Sequence, residues 1–294
     1  MTVISMRSLA SALVLSAIGL PALAGADVVY GLTTRDQLVR FDSSTPGSLA
    51  QASFISGLMS NESLVGIDFR PANGMLYGLG SFGNLYTLST ATAAATFRVN
   101  IGVQLSGVEF GVDFNPVADR LRITSDQDQN LRVNVDTGAT TIDGTLTNSG
   151  GGNPNIVASA YLNNDNVPNT GTTLYNIDSA SNMLTIQNPP NAGTQANVGG
   201  LGIEATALAG FDIVTAAGQN RAWAAMQPFG SAGSGFYSVN LATGGVTFVG
   251  GIGNSQTSDS LAIRDIAAVP EPATMIALAI GALGLARRRK ARIS

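Results

Sequence analysis

Neither cysteine nor histidine occurs anywhere in this 294-residue chain, and its single lysine is Lys290. Without cysteine there is no disulfide and no thiolate nucleophile or thiolate metal ligand. Without histidine there is no Ser-His-Asp device, and imidazole sites for zinc, copper or haem are excluded. A chain whose only lysine lies close to its end has no amine for a Schiff base in its body. Carboxylates, tyrosine hydroxyls and oxygen-ligated cations remain as the available chemistry. No cofactor and no defined metal-ligand set are therefore expected.

Charge is scarce as well, at 12% of residues, about half the usual share. Between residues 27 and 270, nine basic residues face eighteen acidic ones. An acidic, lysine-free surface argues against binding a phosphate backbone, so no nucleic-acid partner is expected. No stretch of the body has the period of a long amphipathic helix. Glycine, asparagine, serine and threonine fill the space instead, among short β-branched runs. Many short strands joined by tight turns are expected from that composition.

Both ends read as targeting segments rather than as fold. Residues 1–24 combine Arg7, an apolar run from Leu9 to Leu20, and the small-x-small pattern of Ala22 and Ala24. That is the pattern of a secretory signal peptide with cleavage near those alanines. At the other end Pro270-Glu271-Pro272 precedes the uncharged run 273–286, and Arg287, Arg288, Arg289 and Lys290 follow. The run would reach roughly 21 Å as a helix, short of the 30 Å of a bilayer core. The basic cluster would hold its end at the cytoplasmic face. Prolines 270 and 272 keep the tripeptide extended and outside the helix. This tail, residues 269–294, resembles the PEP-CTERM sorting signal of Gram-negative bacteria. The resemblance implies export through the secretion machinery, a transient stay in the inner membrane, recognition by an exosortase, and delivery to the cell surface or extracellular matrix. It also implies an association with exopolysaccharide.

Internal repeats carry the fold of the body, residues 27–268. A strand ending in a polar turn recurs at residues 38–42, 85–89, 131–136, 174–178 and 236–240, with the turns 42 to 62 residues apart. That interval is near the four-strand blade period of a β-propeller. A second element opens each unit: Val65-Gly-Ile-Asp-Phe-Arg-Pro71, Phe110-Gly-Val-Asp-Phe-Asn-Pro116 and Ala209-Gly-Phe-Asp-Ile213, with a weaker copy at residues 158–162. The first unit lacks this opening strand, and residues 261–265 supply a spare one at the far end. An all-β propeller of five blades is expected, its first blade closed by the C-terminal strand, with six blades as the alternative. Residues 163–172 read as a loop replacing the second strand of blade four. The segments Gly111–Arg122, Asn130–Gly138 and Pro189–Gly193 resemble an uncharacterised bacterial domain-of-unknown-function family, a likeness that implies fold and export but no activity.

Several side-chain sets could carry chemistry. Asp68, Asp113 and Asp212 share one repeat position, so closing the ring would bring them to one radius. Paired carboxylates suit acid/base work on a glycan; repetition from blade to blade suits a role in tying the backbone. Asp126-Gln-Asp128-Gln-Asn130 opens like a calcium loop but has Leu131 where glycine is needed and Thr137 in place of the closing glutamate. A plain hairpin turn is the simpler reading. Arg120, Arg122 and Arg132 could grip a carboxylate or acidic sugar, or pair with Asp113 and Asp119. Trp223, Tyr161 and Tyr237 could stack on sugars or serve the core. Residues 147–155 and 187–200 read as long loops. The expected function is a non-enzymatic interaction or matrix module at the cell surface, with polysaccharide or a surface protein as partner. The alternative is a carboxylate-dependent enzyme acting on extracellular glycans.

Overall fold

The computed structural model describes residues 26–165, 167, 170–216, 218–253 and 261–269. The proposed cleavage residues Ala22 and Ala24, the motif Pro270-Glu271-Pro272, the run 273–286 and the basic residues 287–290 lie outside the described residues. Among the described residues, no helix is long and apolar enough to cross a membrane.

Among the described residues, twenty-one strands follow in order. They are β1 (Val28–Thr33), β2 (Gln37–Asp42), β3 (Leu49–Phe54), β4 (Leu64–Arg70), β5 (Met75–Gly80), β6 (Asn84–Leu88) and β7 (Ala95–Asn100). Next come β8 (Phe110–Asn115), β9 (Arg120–Ser125), β10 (Asn130–Val133), β11 (Thr140–Ile142), β12 (Thr147–Asn148), β13 (Ile156–Tyr161) and β14 (Leu174–Asp178). The remainder are β15 (Met183–Gln187), β16 (Thr194–Gly200), β17 (Ala205–Ala216), β18 (Gln219–Pro228), β19 (Gly235–Val239), β20 (Val246–Gly251) and β21 (Ile263–Ala268). One short 3₁₀ helix, Pro190–Ala192, joins β15 to β16.

The strands form five sheets, ordered β21-β1-β2-β3, β4-β5-β6-β7, β8-β9-β10-β11, β13-β14-β15-β16-β12 and β17-β18-β19-β20. Their innermost strands touch in the cycle β4, β8, β13, β17, β21 and back to β4. This is a closed five-bladed propeller. Strand β21 pairs antiparallel with β1, setting Leu32 opposite Asp265 and Val29 opposite Ala268. The last strand of the chain thus completes the first blade and removes an open sheet edge.

Burial follows distance from the axis. Every residue of β4 is buried, its Asp68 and Arg70 included. The outer strand β3 alternates half-buried and exposed residues, as one wet face demands. Pro71 and Pro116 follow the last residues of β4 and β8, where a missing N–H ends the ladder. Gly138 and Gly244 adopt φ of 75° and 80° in the turns of blades three and five, a conformation costly for any other residue.

Blade four departs from the expectation in one respect. Its second strand is present: β14 pairs with β13 across the loop at 162–173 and with β15 on its other side. The copy at 174–178 is therefore the second strand of its blade, whereas β2, β6, β10 and β19 are third strands. Second and third strands carry the same alternation and the same polar turn, so pattern alone does not separate them. The stretches 147–155 and 187–200 are also more ordered than expected. They contribute β12 and β16, which pair in parallel.

Hydrophobic packing fills four of the five seams between blades. Clusters join blades one and two, two and three, four and five, and five and one. Among the described residues no such cluster spans blades three and four.

Candidate functional site: the carboxylate axis and the arginine pocket

The Gly-x-Asp repeat of the inner strands solves a closure problem. Inner strands of neighbouring blades lie so close that a Cβ on Gly111 would sit 2.6 Å from the Ser159 backbone nitrogen, and one on Gly210 would sit 2.5 Å from Asp265 Cα. Two residues on, the aspartate reaches into the next blade. Asp68 accepts from Phe114 N–H at 2.7 Å, Asp113 from Tyr161 N–H at 3.1 Å, and Asp212 from Ala268 N–H at 2.5 Å. A fourth carboxylate, Asp265 of β21, accepts from Ile67 N–H at 2.9 Å. Asp68, Asp212 and Asp265 also accept the N–H of the residue that follows each of them. The cross-blade bonds all run in the same rotational sense. In blade four the equivalent position is Tyr161, and the link to blade five passes instead from Thr215 N–H to Asn164 Oδ1 at 2.9 Å.

The three aspartates singled out in the sequence do converge, with one oxygen from each lying within 4.8 Å of the others. All three are buried. Burial pushes Asp68 well above the usual carboxylate range, with the Asp212 charge adding to the effect. Burial, then Asp68, does the same to Asp113, and burial raises Asp265. Burial lifts Asp212 to about 6 against the pull of its two backbone bonds. These oxygens could approach a cation, but every one of the three residues spends at least one oxygen on a backbone N–H. Their burial also closes them to a glycan chain. The arrangement does the tying work expected of a repeated residue, with the difference that each aspartate joins two blades, and all but Asp113 also bind their own strand.

The seam between blades three and four is built differently. Arg122, only 1% exposed, lies in β9 and is fixed on every side. Its Nε donates to the Tyr161 hydroxyl at 3.2 Å, Nη1 to Asn130 Oδ1 and Asp143 Oδ2 at 2.7 Å each, and Nη2 to Asn191 Oδ1 at 2.8 Å. Arg132, its cross-strand partner in β10, grips the same Asp143 through Nε at 2.6 Å and Nη2 at 2.9 Å. Burial alone would raise Asp143, but the Arg132 and Arg122 guanidiniums outweigh it and hold the carboxyl below its usual range. The expected pairing with Asp113 and Asp119 does not form. Asp113 is occupied by the backbone of β13, and Asp119 is bound by Arg70 at 2.6 Å.

Beneath these arginines lies a buried amide network. Asn176 donates to Gln187 and Gln195, Gln187 donates to Asn130 and to the Pro190 carbonyl, and Asn130 donates to the same carbonyl. Every member is satisfied by a partner, which makes such a network rigid rather than costly. Above it opens a pocket of ≈ 180 Å³ whose wall includes Arg120, Arg122, Arg132, Tyr161 and Asn191. These residues come from the three segments that stand out in the sequence at 111–122, 130–138 and 189–193, together with the end of β13. Tyr161 stood out only as an aromatic and Asn191 only as part of the 189–193 segment, and Asp143 carried no sequence signal. Only their meeting across the seam marks them.

The remaining sequence candidates are structural. Trp223 donates from Nε1 to Asp27 at 2.8 Å and stacks on Phe236 with ring centres 5.1 Å apart. Tyr237 is buried edge-on against Phe248. Asp126 accepts the Val108 N–H, and Asp128 sits at φ 62° in the hairpin between β9 and β10, with the Asn153 amide donating to it at 2.7 Å. That is the polar turn expected there.

A closed five-bladed propeller laced by axial carboxylates, with a rigid cationic pocket at one seam, defines the class of this protein. The chain belongs to the family described as Domain of unknown function (DUF4394), whose match spans residues 37–267. The PEP-CTERM protein-sorting motif matches residues 268–290 and implies an exported surface protein processed by an exosortase. No curated protein matches the sequence. Among solved structures, a structural-genomics protein of unknown function from Bacteroides thetaiotaomicron aligns at 15% identity and a TM-score of 0.51, over 85% of this chain and 66% of that one. A chain of a nidogen/laminin complex aligns at 10% identity and a TM-score of 0.48, over 83% of this chain and 98% of the other. At such identities the first likeness speaks for the fold alone.

Proposed function

We propose that this protein is a non-enzymatic interaction module displayed at the surface of a Gram-negative cell, where it serves the extracellular matrix. On this reading residues 1–24 are removed on export, residues 27–268 form the working body, and residues 269–294 are the sorting tail. The observation that carries it is the junction between body and tail. The sorting motif begins at residue 268, and Asp212 still holds the Ala268 N–H. Processing near Pro272 would therefore leave all five blades whole. A polysaccharide or a surface protein is the partner class that fits such a location, and the burial of the axial aspartates speaks against the rival reading as a glycan-cutting enzyme.

Intact mass and cell fractionation, with and without the host exosortase, test the proposal. The expected result is a species ending near Pro272 at the surface or in the medium, present only when the exosortase is. A full-length tail held in the inner membrane of wild-type cells would reject it.

A further inference from the structure

Of the five seams, the one between blades three and four replaces apolar packing with a hydrogen-bonded polar network, and a pocket opens directly above it. We propose that this pocket binds a small polyhydroxylated carboxylate, about one sugar-acid residue in size. The proposal rests on the reading of the body as an interaction module and supplies that module with a ligand.

Charge is the first ground. Three guanidiniums, those of Arg120, Arg122 and Arg132, face one carboxylate, Asp143. Arg70 bridges the neighbouring acids Asp119 and Asp136, so four guanidiniums meet three carboxylates here and the local balance is one positive charge. A positive excess is thus concentrated here, in a body whose overall charge is strongly negative. An extended polyanion would be repelled by that body far more strongly than a compact, singly charged ligand, because the repulsion scales with ligand charge.

Hydrogen-bond capacity is the second ground. A guanidinium has five N–H donors. Arg120 uses only Nη1, on the backbone carbonyls of Ala118 and Asp119. Arg132 spends Nε and one N–H of Nη2 on Asp143. The Tyr161 hydroxyl accepts from Arg122 and keeps its own proton to give, and Asn191 accepts through its oxygen and keeps its NH₂. Donors therefore outnumber acceptors at the pocket wall. A carboxylate with several hydroxyl oxygens answers that surplus, and a cation does not.

Size and rigidity are the third ground. The volume of ≈ 180 Å³ is below the roughly 300–1,000 Å³ of sites for drug-sized ligands. It suits a single ring or chain terminus. Arg122 is locked by four partners and the 190–191 turn by Asn130 and Gln187, so little ordering remains to be done on binding.

The test is calorimetric titration of the full-length chain, kept in mild detergent, with D-glucuronate, its neutral methyl ester and D-glucose. The expected result is saturable one-to-one binding of glucuronate, with the ester and glucose bound far more weakly. Arg120→Gln should weaken binding about tenfold or more. Its hydrogen bonds among the described residues go to backbone carbonyls and its charge acts only weakly on the exposed Asp136, so its thermal transition should stay close to the wild type. Arg132→Gln should act in the same direction while Arg122 still covers Asp143. Absence of glucuronate binding to the folded wild-type chain overturns the proposal. So does equal binding of the ester, or an affinity unchanged in the folded Arg120→Gln variant. Binding by a chain that fractionation finds in the inner membrane would uphold the pocket and reject surface display. Correct sorting of a chain that does not bind would do the reverse.

Discussion

One aspartate in each of four inner strands accepts an N–H from the next blade, and Asp68, Asp212 and Asp265 also accept one from their own strand. The energetic consequence is local. Replacing Asp68 with alanine leaves the buried Phe114 N–H without its acceptor, and an orphaned buried donor costs about 1–3 kcal/mol. In a body of this size that corresponds to a fall in Tm of roughly 2–12 °C. Scanning calorimetry on Asp68→Ala and Asp113→Ala should show losses in that range. A variant that melts like the wild type would separate the residue from the closure of the ring. The repeated position of Asp68, Asp113 and Asp212 was legible in the sequence because Gly-x-Asp recurs intact. Asp265 was not, because Ile263 stands where the motif has glycine and the strand lies at the opposite end of the chain.

Among the strands, two signals gave their positions. The recurring Gly-x-Asp element marked the inner strands, and the strand ending in a polar turn marked the others. What the pattern did not give was strand rank within a blade, as the copy at 174–178 demonstrates. Rank matters most for β21. It pairs with β1 along nearly all of that strand and brings Asp265 to Ile67. A chain ending at residue 253 would leave β1 with an unpaired inner edge and would break the seams on both sides of blade one. The expected outcome is loss of the cooperative melting transition and aggregation through the exposed edge. Circular dichroism melting and size-exclusion chromatography would measure it. A soluble, cooperatively folding truncation would mean that blades two to five hold without closure.

Across the whole molecule, four buried carboxylates come from the inner strands of four blades, three of them with oxygens within 4.8 Å of one another, and the charge on one raises its neighbours. Each has a pKa raised by burial, Asp212 to about 6. The folded state therefore binds more protons than the unfolded chain above about pH 4, and stability falls as pH rises through 6 and beyond. Asp136 and Asp143 act in the opposite sense. Arginine neighbours hold them low, so their contribution is lost only below about pH 4. The Tm should accordingly peak near pH 4–5 and decline by pH 8 at constant ionic strength. For Asp212 alone the decline amounts to a few kcal/mol, because each tenfold change in proton affinity is worth about 1.4 kcal/mol. A Tm that is flat or rising from pH 5 to 8 would show the axis to be ionised at no cost.

Local pattern was enough to point to the class of fold, to five blades ahead of six, to the closing strand and to the C-terminal sorting motif. All of these are written in periodicity or in contiguous motifs, which need no partner to be read. The arginine pocket, by contrast, exists only in the folded chain. Its parts lie in segments at 115–122, 132–143, 161 and 190–191, and each has an ordinary local meaning as strand end, salt-bridge residue or turn. Their chemistry arises only when blades three and four meet, because a guanidinium becomes a fixed donor array only after distant amides and one carboxylate have immobilised it. The same holds for the axis: three aspartates at one repeat position predicted a shared radius, but their burial and their reach into neighbouring backbones followed from the close packing of the inner strands.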